Sequence, residues 1–398
     1  MGNLSLYLPP FTGDYSGVCS ALFDLNCLIV INDASCCTRN YVNYDEPRWT
    51  LTKKTTLCSQ LRTMDAILGD DEKVICQVVE AAQKLDPEFI AVLGSPVPAI
   101  IGMDMKGIAR EIEARSNCPT FGFDTNGFSY YNKGISAAFL ALLQRFTSPP
   151  EQVIAESVNI LGLTPLDFSA NNNSLLIRQL LEDNGLQVIC SFLMQVGLDQ
   201  VRRASAAEVN LVVSQSGWAA ARYMQTQFGI PYVVATPLGR QHGQTVIQAI
   251  RQTARDQVNR IITGDPDSPQ TEWNSPALLI IGDQVLANSL RVALRQAGCA
   301  QNITVASFFT IEKELALPGD IRLKSEKHLI ELMRGGRYDS WVADPLIAGI
   351  PAASKLKSFL LPHPAVSSHL YWDEVPLFIG GDMENLLQRW VKVTLNNK

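Results

Sequence analysis

Short apolar runs alternate along this chain with longer stretches in which apolar residues recur every third or fourth position. Residues 27–31 (Cys-Leu-Ile-Val-Ile), 89–94 and 118–124 are rich in β-branched and aromatic side chains and bounded by polar ones, which predicts buried parallel strands. A polar connector is expected from 49 to 69. Asp70-Asp71-Glu72 then reads as the acidic first turn of an amphipathic helix in which Val74, Ile75, Val78, Val79 and Ala82 share a face, and Pro87 ends it. Further helices are predicted from Met103 and over 129–143. The pattern then repeats, with strands at 158–162, 186–191, 209–214 and 230–234 and helices over 175–183, 198–206 and 217–228. It repeats once more, with strands at 277–281, 303–306, 340–345 and 359–361 and a closing helix that begins near Gly380.

Parallel strands need crossover connections, and right-handed crossovers cover both faces of a sheet. The alternation therefore predicts an α/β protein of three Rossmann-like doubly wound domains. Ser148-Pro149-Pro150 and Ser268-Pro269-Gln270 read as linkers, placing the domains at 1–155, 156–270 and 271–398. A length of 398 residues agrees, since it exceeds what one core organises.

Charge and composition remove several function classes. The net charge of −6 disfavours nucleic acid and anionic membrane surfaces as partners. No apolar run approaches a membrane span, and Met1 to Pro10 has no basic segment or cleavage site, so a cytoplasmic protein is expected. The nine cysteines are odd in number and scattered, which argues against a disulfide framework. No Cys-x-x-Cys occurs, and neither a Gly-x-Gly-x-x-Gly fingerprint nor a P-loop is present, so this chain is not expected to bind nucleotide. Cys27 and Cys190 lie within apolar strands, where a thiol serves as a small hydrophobe. Cys36 and Cys37 lie instead in a polar turn just past a buried strand, where open α/β sheets place their ligands.

Gly17 in a short amphipathic segment, the strand ten residues on, the loop Asp33-Ala34-Ser35-Cys36-Cys37 and the Arg39-Asn40-Tyr41 that follows resemble the N-terminal region of nitrogenase component 1 type oxidoreductases. That family includes dark-operative protochlorophyllide reductase subunits, cofactor-assembly scaffolds, nickel-sirohydrochlorin reductive cyclase and methylthio-alkane reductase. The resemblance implies an iron-sulfur cluster at a subunit interface, with Cys36 or Cys37 as a ligand. It departs from the family's three-cysteine pattern, because Thr12 or Gly13 and Pro96 stand where other members carry thiols. A [4Fe-4S] cluster shared between subunits is therefore implied rather than a larger one. A homodimer would draw four thiolates from pairs among Cys19, Cys36 and Cys37, whereas a heterodimer or heterotetramer would take most ligands from a homologous subunit.

The resemblance carries further expectations. Electrons would come from an ATP-dependent iron-protein-type reductase, and the interdomain cleft would take a substrate, with a tetrapyrrole or a further metallocluster among the candidates. Val213-Ser214-Gln215-Ser216 offers no thiol to anchor an iron-molybdenum cofactor. Arg240 and His242, in the segment Leu238-Gly239-Arg240-Gln241-His242-Gly243, are expected to line the cleft, with Arg240 suited to bind a carboxylate. His363 and His369 stand near the position from which nitrogenase supplies a histidine, and imidazole suits proton donation. The alternative function is a non-catalytic scaffold or carrier for metallocluster assembly.

Overall fold

The computed structural model describes residues 5–52, 54–192, 194, 196–264 and 277–395. In the first sheet, β1 (Cys27–Ile31), β2 (Thr56–Cys58), β3 (Phe89–Leu93) and β4 (Thr120–Phe123) run parallel in the order β2-β1-β3-β4. In the second, β5 (Ile154–Leu161), β6 (Gln187–Ser191), β7 (Ala207–Val212), β8 (Tyr232–Val234) and β9 (Arg260–Ile261) take the order β6-β5-β7-β8-β9. In the third, β10 (Ala277–Ile281), β11 (Asn302–Ser307), β12 (Ile321–Arg322), β13 (Ser340–Ala343) and β14 (Lys357–Leu360) take the order β12-β11-β10-β13-β14. The protein is thus an α/β fold of three parallel sheets flanked by helices. The linker expected at Ser268-Pro269-Gln270 lies outside the described residues.

Each sheet is wound both ways from its first strand, so each has a point where the strand order reverses. These points lie between β1 and β3, between β5 and β7, and between β10 and β13. At such a point the loops diverge and leave a crevice at the carboxyl edge.

Helix packing explains why some residues had to be small. The helices Asp14–Leu22 and Tyr131–Phe146 lie directly against each other. A β-carbon on Gly17 would sit 2.1 Å from the Tyr131 carbonyl oxygen, and one on Gly134 would sit 1.9 Å from that of Asp14. Only glycine permits so close an approach. The Asp14–Leu22 helix is buried on every side, its polar Asp14, Ser16 and Ser20 included. The core built on this pair continues from the first sheet through Phe192, Val212 and Trp218 to Phe309 and Ala365, so the three sheets share packed side chains.

Three local predictions are corrected. The connector at 49–69 contains β2 and a helix at Thr63–Leu68, both too short and too exposed to leave a periodic pattern. The segment at 238–243 is no loop beyond its first residue, because Gly239 opens a helix that runs to Asp256 and packs through Val246, Ile247 and Ile250. Finally, β9 and β12 hold two residues each, below the length at which alternation is visible.

Candidate functional site

Two places concentrate chemistry. The first is the carboxyl end of β1. There Asn32 and Asp33 are buried, Ser35 adopts a left-handed backbone (φ 97°), and the helix Cys36–Asn40 begins at once. Asp33 holds that helix in place, its Oδ2 accepting from the Thr38 backbone N–H at 3.0 Å and the Thr38 hydroxyl at 3.3 Å. A wide helical turn, Tyr41–Asp45, continues the chain, and buried Arg48 ties the segment down through Glu46 (2.7 Å), Asp24 (3.1 Å) and the Ser20 carbonyl (2.7 Å).

On this base Cys36 is exposed and Cys37 half-buried. Burial, and next the charge of Asp33, push the Cys37 thiol up to about 12. Cys58, at the end of neighbouring β2, donates to the Asp33 carbonyl at 3.2 Å, bringing a third thiol to the same edge. Its signal in the sequence was only its place among the crowded N-terminal thiols. Cys19, expected as a companion of this pair, is not one. It is fully buried in the Asp14–Leu22 helix, where burial and then Cys27 and the Glu46 and Asp45 carboxylates hold its thiol protonated. Among the described residues no three His, Cys, Asp or Glu side chains converge as a metal site.

The second place is the junction where the crevices of the second and third sheets meet the Tyr131–Phe146 helix. Tyr131 donates its hydroxyl proton to Asp167 Oδ1 at 2.5 Å, and the Thr164 hydroxyl donates to Asp167 Oδ2 at 3.0 Å. His363 Nε2 lies 3.5 Å from the same Asp167 oxygen and 3.4 Å from the Tyr131 hydroxyl. The His363 backbone N–H donates to Asp344 Oδ2 at 2.8 Å. Asp283 caps its helix, accepting from the Val285 and Leu286 N–H groups at 2.9 and 3.1 Å, and reaches across to the Gln215 N–H at 3.1 Å. All five side chains, Tyr131, Asp167, Asp283, Asp344 and His363, are buried.

Electrostatics within this cluster follow from its dryness. Burial raises Asp283 and Asp344, and the charge of Asp167 adds to the effect on Asp283. Burial also works against an imidazolium at His363, but the Asp167 hydrogen bond and the three nearby carboxylates outweigh it, and His363 rises above its ordinary value. Carboxyls that resist ionisation beside an imidazole that favours protonation can hold and share protons. Phe309 closes the cluster, its ring 5.1 Å from Tyr131, 5.4 Å from Tyr130 and 5.7 Å from His363. A cavity of about 20 Å³ lined by Phe11, Phe308, Phe309, Asp344 and His363 is left there. That is room for about one water molecule.

Of the predicted site residues, His363 alone lies in this junction. His369 is exposed on the far side of its loop, its ring 5.0 Å from Tyr44 of the turn that follows Cys36–Cys37. Arg240 is exposed, its backbone N–H bonded to Glu384 Oε2 at 3.0 Å, where its helix meets the Gly381–Leu395 helix. His242 is buried on the inner face of the same helix and is driven down to about 4 by desolvation, so it is a neutral core residue. Tyr131, Asp167, Asp283 and Asp344 were missed as a group. Each of Asp283 and Asp344 follows directly on a buried strand or its turn, a signal that exists but that many structural aspartates share.

A family model described as nitrogenase component 1 type oxidoreductase matches residues 24–267, more than half of the chain. The chain belongs to this family. This nitrogenase component 1 type oxidoreductase is 26% identical over 201 residues to a light-independent protochlorophyllide reductase subunit from Synechococcus sp. (strain JA-3-3Ab), a match taking in 48% of this chain and 39% of that protein. It is also 26% identical over 216 residues to the nitrogenase iron-molybdenum cofactor biosynthesis protein NifE of Methanosarcina barkeri, taking in 51% of this chain and 45% of that one. The matches therefore span less than half the length of these curated relatives. A solved structure of nitrogenase Cp1 at pH 6.5 shares the fold, with a TM-score of 0.71 over 100% of this chain and 94% of that chain at 12% identity.

Proposed function

We propose that this chain is one subunit of a nitrogenase-like reductase and gives a cysteine of the Cys36–Cys37 pair to an iron-sulfur cluster shared with a homologous subunit. The observation that carries this reading is the pair's position, an accessible and a half-buried thiol at the strand-order reversal of the first sheet. Thiolates are the natural ligands of iron-sulfur clusters, so the donor chemistry fits. The number of donors on this chain fits only a shared site, and a [4Fe-4S] cluster completed from the partner subunit answers that need. When bound, such a cluster supplies one-electron chemistry, here with electrons delivered by an ATP-dependent iron-protein-type reductase.

This chain's own residues would then serve two ends. The loop from Asp33 to Arg48 keeps the thiols at the surface and fixes their direction. The Tyr131–Asp167–His363 cluster holds protons behind that surface, with His363 as the group able to release one on a reducing cycle. A cavity of about 20 Å³ at the junction suits a water molecule, so the substrate is assigned to the face shared with the partner subunit rather than to the interior of this chain.

One observation favours a second reading, a scaffold or carrier subunit for metallocluster assembly: a relative matched over 51% of this chain is named for iron-molybdenum cofactor biosynthesis. Co-purification with the homologous subunit under anaerobic conditions, followed by addition of the reductase, ATP and a reductant, separates the two. The enzyme reading predicts a cluster that is reduced and reoxidised through many turnovers in the presence of substrate. A cluster lost once to an acceptor protein, with no turnover, would contradict it and establish the carrier.

A further inference from the structure

Behind the thiol pair runs a line of hydrogen bonds whose direction can be assigned group by group. Asp45 is 4% exposed and its Oδ2 accepts from the Ser16 hydroxyl at 2.7 Å, while Thr12 donates to Oδ1 at 3.4 Å. The same Oδ2 accepts from the Asn40 side-chain amide at 2.7 Å. That contact fixes which end of the Asn40 amide is nitrogen, since a carboxylate accepts and does not donate. The nitrogen then reaches the Tyr15 hydroxyl oxygen at 3.4 Å, again as donor. Tyr15 is 8% exposed and receives a proton from Asn40, so its own O–H proton is free to be directed elsewhere. The remaining partner of that hydroxyl is the Cys37 side chain. Among the described residues no comparable line leads to Cys36, which is exposed.

We infer that Cys37, not Cys36, is the sulfur this chain gives to the shared cluster, and that Tyr15 is a positioning residue whose O–H···S hydrogen bond sets the potential of that cluster. The inference rests on the reading of the function given above and goes further by naming the sulfur and the group that tunes it. The physical basis is charge. A cluster gains negative charge on reduction, and a donor aimed at a ligating sulfur stabilises the reduced form, so the hydrogen bond raises the potential. Asp45 and Asn40 act one step further back, holding the phenol so that its proton points at sulfur and not into the core. The fixed direction also explains why a carboxylate is buried against the Asp14–Leu22 helix: it is the acceptor that orders the whole line.

The test uses the full chain purified anaerobically with its homologous subunit. Iron and acid-labile sulfide are counted, and the midpoint potential is read from an EPR-monitored redox titration. Cys36→Ala is expected to keep its iron and sulfide, and Cys37→Ala to lose them. Tyr15→Phe is expected to keep full iron and sulfide but to titrate at a more negative potential. Asn40→Leu keeps the phenol but frees its orientation, and is expected to shift the potential in the same direction by less. It serves as the second variant should Tyr15→Phe assemble poorly. An unchanged potential in a fully loaded Tyr15→Phe protein would overturn the role of Tyr15 while leaving the cluster reading intact. Loss of the cluster in Cys36→Ala with retention in Cys37→Ala would overturn the choice of sulfur. A wild-type assembly without iron would overturn the parent reading and this inference together.

Discussion

His242 and His363 are both buried, yet their surroundings move them in opposite directions, and the difference separates a core residue from a functional one. Desolvation alone acts strongly on His242 and takes it from 6.5 to about 4. Its neutral ring is the form the fold favours, so its contribution to stability is whole above 6.5 and is lost as pH falls toward 4. His242→Leu is expected to flatten the decline in unfolding midpoint across that interval, as measured by chemical denaturation at a series of pH values. A decline as steep as in the wild type would assign the acid sensitivity to other groups. His363 behaves in the contrary sense, because carboxylates surround it, and its stabilising contribution is present at low pH and lost as pH rises through its raised value. The position of His363 in a loop was legible in the sequence. Its partners were not, since a lone aspartate after a strand becomes a site only when separate sheets bring such residues together. Cys19 misled for a related reason: the serines and aspartate around it look like a surface, but they are spent on buried hydrogen bonds such as Ser16 to Asp45.

At the scale of elements, the contact between the helices Asp14–Leu22 and Tyr131–Phe146 matters most, because it seats both candidate places at once. One helix carries Tyr15 and Ser16 beneath the thiol loop, and the other begins with Tyr131 in the junction. Gly134→Ala would drive a methyl group into the Asp14 carbonyl, and overpacking of this kind costs roughly 1–3 kcal/mol. The expected outcome is a lower thermal midpoint together with a loosened thiol loop, read as faster hydrogen exchange over residues 33–45. A variant as stable as the wild type would mean that the helices part without cost. Gly17 was visible in the sequence as a feature of the segment, but its partner Gly134 was not, because the pairing of distant helices leaves no mark on local periodicity. The strong strands, β1, β3 and β10, were legible for the opposite reason. Each is an unbroken apolar run dictated by burial on both faces. The edge strands β2, β9 and β12 are short and partly exposed, so the pattern that betrays a strand had no room to form.

Across the whole molecule, three parallel sheets turn the same kind of edge toward shared ground, and the N-terminal segment fastens the first to the third. The backbone N–H groups of Leu6, Tyr7 and Leu8 converge on the Glu326 carboxylate at 2.8 to 2.9 Å, Thr12 donates to the Ala365 carbonyl at 3.0 Å, and Phe11 wedges against Phe308 and Phe309. The number and order of the sheets could be read from the alternation of runs, whereas their convergence could not, because no sequence pattern records how one sheet faces another. That convergence gives the division of labour proposed above: a packed, proton-holding interior and a thiol-bearing face that needs a partner to become a metal site. Iron and acid-labile sulfide measured on the anaerobic complex with its homologous subunit, for the wild type and for Cys36→Ala/Cys37→Ala, test this most directly. The account predicts iron and sulfide in equal amounts in the wild-type complex and their loss in the double variant with the complex still assembled; a double variant that keeps its full complement would contradict it.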